Sequence, residues 1–217
     1  MNGALLFAIG VAASPVPIGA SLLLLTGQRP AANGAAFALG WIVGLSVVAG
    51  AFVLLVPLAG LTDSDPLWIA LMELLIGVGL LGASVGTWIR HRSGPRMAPA
   101  LLLGALDRLT PTRSAGAGVV ISGANPKVLA LALGEALAVT AAGADPDART
   151  PSIVLFVAIG ATGVVLPLAA YLLLHRARAP LLGIRAWLNE HEVQAVVGLG
   201  LVIGTAFLAD GLRPFAS

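Results

Sequence analysis

A chain of 217 residues that is 58% hydrophobic and only 10% charged has too few ionised side chains to cover a water-facing surface, for which roughly 25% is usual. Its mean hydropathy of +0.98 and net charge of +2 exclude a soluble globular domain and leave no electrostatic footprint for nucleic acid. There is no cysteine, and the three histidines (His91, His175 and His191) are scattered, so neither a disulfide, a thiolate or zinc site, nor a cofactor is expected.

The first apolar run, residues 4–26, resembles a secretory signal as far as Val11-Ala12-Ala13. It lacks a basic start, however, and continues through Pro15 and Pro17 to Leu25, so a retained membrane span is predicted. A span needs ~20 mostly apolar residues to cross ~30 Å of hydrocarbon. Five further runs qualify: 35–60, 67–89, 115–142, 153–174 and 193–209. They are too long for strands and lack period-2 alternation. The expected fold is therefore an all-α integral membrane protein with six transmembrane helices in a single domain, 1–217.

The connections carry most of the charge. The first, third and fifth hold nine arginines: Arg29; Arg90, Arg92, Arg96, Arg108 and Arg113; Arg176, Arg178 and Arg185. The second and fourth hold Asp63, Asp65, Asp145 and Asp147, with Arg149 as their only base. Lys and Arg concentrate on the cytoplasmic side, which predicts an inner-membrane protein with both termini outside. Residues 97–109 and 180–188 mix apolar and basic side chains. Each suits a short interfacial amphipathic helix as well as it suits a solvated loop.

The chain repeats itself. Residues 50–59, GAFVLLVPLA, align without a gap on 160–169, GATGVVLPLA; Ser14-Pro15 falls opposite Asn125-Pro126; IGVGL at 76–80 mirrors VGLGL at 197–201. Each half, about 1–95 and about 115–217, holds three predicted spans, with a basic linker at about 90–114 between them. An odd number of spans forces the second half to enter from the opposite side, giving inverted repeats about an in-plane axis. Proline removes a backbone donor and clashes with the carbonyl four residues back. Freed carbonyls at membrane depth are tolerated only against protein or a wet cavity. Ser14, Pro15 and Pro17 in the first half, and Asn125 and Pro126 in the second, are thus candidate site elements, although a packing kink would need the same residues. Glycine pairs at GxxxG spacing, Gly40/Gly44, Gly82/Gly86 and Gly200/Gly204, suit tight packing inside the bundle or a homo-oligomer contact.

A charge at membrane depth costs at least ~2.5–3.5 kcal/mol and calls for a reason. Lys127 follows the Asn125-Pro126 break directly. Glu135 lies ~12 Å further along the same span and ~80° around it, so the two do not stack. Glu73 sits in the outer half of the third span, where it can reach Lys127 across helices. Two roles are open for these groups: a binding site in which Lys127 holds an anionic group and Glu73 and Glu135 titrate or touch substrate, or a buried pair that merely neutralises itself. No GxSxG, HExxH or Walker loop is present, so no enzymatic activity is expected.

The stretches PVPIGASLLLL at 15–25, NGAAFALGWIVGLS at 33–46 and SGANPKVL at 122–129 resemble the GAP family, small proteins similar to the sulfolipid-1-addressing and peptidoglycolipid-addressing proteins of actinobacteria, within the LysE superfamily. The resemblance covers nearly the whole chain. It implies transport, or assistance of a larger lipid exporter, that moves a glycolipid towards the cell surface. It also implies that Pro15, Pro17, Asn125, Pro126 and Lys127 belong to the site. Export of a small solute, as elsewhere in the superfamily, and a scaffold role in a lipid-export complex are the competing readings.

Overall fold

The computed structural model describes residues 2–58, 66–93, 109–143, 146–174, 178–212 and 215. These residues are helical apart from short turns, and no strand occurs among them. Eight helices follow one another: α1 (Asn2–Ala12), α2 (Pro15–Leu25), α3 (Pro30–Leu58), α4 (Pro66–Ser93), α5 (Pro111–Gly123), α6 (Pro126–Ala141), α7 (Pro146–Leu173) and α8 (Arg178–Leu212). Seven of them begin or nearly begin on proline, whose fixed φ and missing N–H suit the first helical turn.

Helices α3 and residues 149–173 of α7 are each long and apolar enough to cross a bilayer alone. The pairs α1–α2 and α5–α6 pass the same test together, which brings the candidate spans among the described residues to as many as four when each bent pair is one span. The outer surface agrees with a lipid setting. On α3, Leu39, Val43, Val47, Leu54 and Leu58 form an exposed apolar stripe. The opposite face buries Phe37, Trp41, Leu45, Ala49, Val53 and Val56. A helix that is apolar all round is stable with hydrocarbon on its outer side.

Packing is interlaced. Helix α3 lies against α5, α6 and α7; α1 lies against α6 and α7; α2 meets α7 and α8; α4 packs mainly on α8. One large core unites Ala8 and Val11 of α1, Leu23 and Leu24 of α2, Phe37, Trp41 and Leu45 of α3, Val128 and Leu131 of α6, and Phe156 and Val164 of α7. The Trp41 indole N–H donates to the Gly160 carbonyl at 3.4 Å, and the Ser21 hydroxyl donates to the Val164 carbonyl at 3.3 Å. A Cβ at Gly40 would overlap the Ala115 carbonyl, and one at Gly200 would overlap the Ser84 hydroxyl. These two glycine pairs therefore close contacts within the chain, between α3 and α5 and between α8 and α4. Gly82 faces open space.

One expectation changes. Residues 180–188 form neither a separate interfacial helix nor a loop; they are the first turns of α8, which runs unbroken for 35 residues. The polar run Asn189–Glu192 contains no proline or glycine, so nothing stops the helix there. At ~1.5 Å per residue α8 is ~52 Å long, well beyond the hydrocarbon thickness. The aligned Gly50 and Gly160 are not equivalent in packing. Gly50 faces open space, whereas Gly160 is pressed against Leu45 and Val11. Pro57 and Pro167 both remain inside their helices. Of the expected segment 97–109, residues 97–108 lie outside the described residues, as do Asp63 and Asp65.

Candidate functional site

Two interruptions dominate the interior. At the first, α1 and α2 meet at a 41° bend. Ser14 is extended there, with φ −68° and ψ 121°, as the residue before a proline prefers. Its backbone N–H donates to the Val11 carbonyl at 3.1 Å, one residue short of the regular helical partner, and its side chain makes no cap bond. Ser14, Pro15 and Pro17 are all buried.

At the second, α5 and α6 meet at 59°. Asn125 is likewise extended, with φ −81° and ψ 112°. Here the side chain does cap the helix: Asn125 Oδ1 accepts from the Lys127 N–H at 3.0 Å. Pro126 occupies the first helical position, and its ring is exposed.

Each interruption is seated against a long helix. A Cβ at Gly163 of α7 would overlap the Ala12 carbonyl at the end of α1, and a Cβ at Gly44 of α3 would overlap the Ser122 hydroxyl near the end of α5. The structure also brings α1 onto α6. Val11, three residues before Ser14, and Val128, the neighbour of Lys127, are fully buried in the same core.

The ionisable residues separate in what they show. Lys127 sits in the first turn of α6, and its Nζ is buried without a hydrogen-bond partner among the described residues. Glu135 is 2% exposed, and its Oε2 is equally unpartnered there. Next to it, Gly134 lies under the stacked rings of Phe7 and Phe207, whose centroids are 5.0 Å apart. Glu73 belongs to α4, which touches α6 only lightly; its side chain lies outside the described residues. A half-helix that starts inside the bundle carries a partial positive charge at its first turn. The Lys127 ammonium on that turn adds a full charge of the same sign.

Between α3 and α7 an apolar groove of about 280 Å³ opens outward, lined by Ile42, Ser46, Ile153, Val154, Val157, Ala158 and Ala161. The sequence reading did not anticipate it, nor the buried Asn33 and Ser114, each with one side-chain oxygen unpartnered among the described residues. The Asn33 amide donates to the Leu109 carbonyl at 2.8 Å. A polar residue near the start of an otherwise apolar span was the available signal for Asn33.

A family model described as Sap, sulfolipid-1-addressing protein, matches residues 4–213. The chain belongs to the sulfolipid-1-addressing protein family. No curated protein and no solved structure matches it. The family match spans both interruptions and every ionisable residue considered above.

Proposed function

We propose that this member of the sulfolipid-1-addressing family is a non-enzymatic transporter or export-accessory protein of the cytoplasmic membrane that handles an anionic or glycosylated lipid. In this reading the chain crosses the bilayer six times as two inverted three-helix repeats, with both termini outside. One observation carries the function: the Lys127 ammonium on the first turn of a half-helix is buried, with no hydrogen-bond partner among the described residues. A charge in that position is a standing cost unless an anionic group visits it. The apolar groove between α3 and α7 supports a cargo with acyl chains, and the family's name supports a lipid.

The inverted repeat draws support from the packing. Exchanging α1–α2 with α5–α6, α3 with α7, and α4 with α8 turns the α3–α5 contact into the α7–α1 contact and α3–α6 into α7–α2. All four occur. A scaffold role beside a larger lipid exporter is the second reading, favoured by the close seating of both interruptions on Gly163 and Gly44.

The test is a strain lacking the protein, complemented with wild type or Lys127→Ala, with surface lipids measured by mass spectrometry. Export is expected to be lost in the variant at normal membrane abundance. Wild-type surface lipid in the variant would remove Lys127 from the mechanism and leave the scaffold reading.

A further inference from the structure

Away from the helix breaks, a cavity of about 220 Å³ lies where four helix ends gather. Its walls are Leu25 at the end of α2, Thr26, Gly27 and Pro30 in the turn to α3, Tyr171 near the end of α7, and Leu181 and Leu182 near the start of α8. Leu22 and Leu181 are buried together, with Ile18 and Tyr171 packed against them. The cavity is thus apolar in depth and sits where helices enter or leave the bundle. Leu182, at its mouth, is half-exposed.

The charge around it has one sign. Exposed Arg29 lies between Gly27 and Pro30. No Asp or Glu occurs in the sequence before Asp63, nor between residues 148 and 189, so every segment that lines the cavity is free of carboxylates. Two helix N-termini, of α3 and α8, and two C-termini, of α2 and α7, meet here. Their macrodipoles largely cancel, and Arg29 sets the sign of the field.

We infer that this cavity is a docking site for an anionic phospholipid of the surrounding leaflet, with an acyl segment against Leu25, Tyr171 and Leu181 and its phosphate beside Arg29. An apolar pocket with a basic rim at the level of the helix ends matches both parts of such a lipid. The inference rests on the chain spanning a bilayer and not on the role given to Lys127.

Native mass spectrometry of the full chain in detergent, with phosphatidylglycerol or phosphatidylcholine added, tests it. Wild type is expected to retain phosphatidylglycerol preferentially. Arg29→Gln should reduce that preference about fivefold, the factor contributed by one arginine at a lipid surface. Leu182→Trp, which fills the mouth, should reduce retention of both lipids. Equal retention of the two lipids by wild type, or unchanged retention in both cavity variants, would overturn the assignment.

Discussion

Gly163 of α7 lies so close to the Ala12 carbonyl at the end of α1 that a single added methyl would overlap it. The contact has backbone on one side, so no flexible side chain can yield. Gly163→Ala is therefore expected to destabilise the protein by about 1–3 kcal/mol, the usual cost of overpacking. Gly50→Ala, in α3 with nothing within 4 Å, should instead gain up to about 1 kcal/mol from helix propensity. Thermal unfolding of the two variants in the same detergent checks this. Equal shifts would mean that α1 and α7 are not pressed together as described.

The two interruptions differ in how they are capped, and that difference is measurable. Asn125 Oδ1 accepts from the Lys127 N–H, whereas the Ser14 side chain caps nothing. Asn125→Ala should cost about 1 kcal/mol, the usual worth of a side-chain cap. Ser14→Ala should cost clearly less. The reverse order in unfolding temperatures would show that the second break is not held by its asparagine.

Both breaks were legible in the sequence because proline acts locally: it lacks the N–H and constrains the residue before it, whatever the tertiary setting. Ser14-Pro15 and Asn125-Pro126 needed no knowledge of the fold. The seats beneath them were not legible. In a chain with 27 glycines, only the packed structure shows that Gly44 and Gly163 meet a neighbour while Gly50 and Gly82 do not. The continuity of α8 was missed for a different reason. Polarity at Asn189–Glu192 resembles a loop, but polarity alone does not break a helix. Lys127 stood out because charge at membrane depth is rare; that its ammonium has no partner among the described residues is a fact of packing.

Glu135 is 2% exposed, and its Oε2 has no hydrogen-bond partner among the described residues. An amide of the same shape is less costly than a carboxylate to hold in apolar surroundings. Glu135→Gln should therefore leave the unfolding temperature unchanged or raise it by about 2–4 °C, the shift expected for ~1 kcal/mol in a chain of this size. A fall of that size would show that the carboxylate is held by a cation.

Lys127 makes the sharpest prediction, because stability and function should move in opposite directions. An ammonium that serves only structure has a partner, and removing it leaves that partner exposed to the same apolar surroundings, at a cost of several kcal/mol. An ammonium kept for a visiting anion has no partner in the empty state, so replacing it with an apolar side chain of similar length removes a penalty. Lys127→Met is expected to hold or raise the unfolding temperature of the purified protein while surface lipid export is lost. Lys127→Arg keeps the charge but changes its shape from a point donor to a planar fork. It should retain part of the export. A Lys127→Met protein that unfolds several degrees below wild type would assign the lysine to a buried ion pair, and the case for an anion site at the α5–α6 break would fall with it.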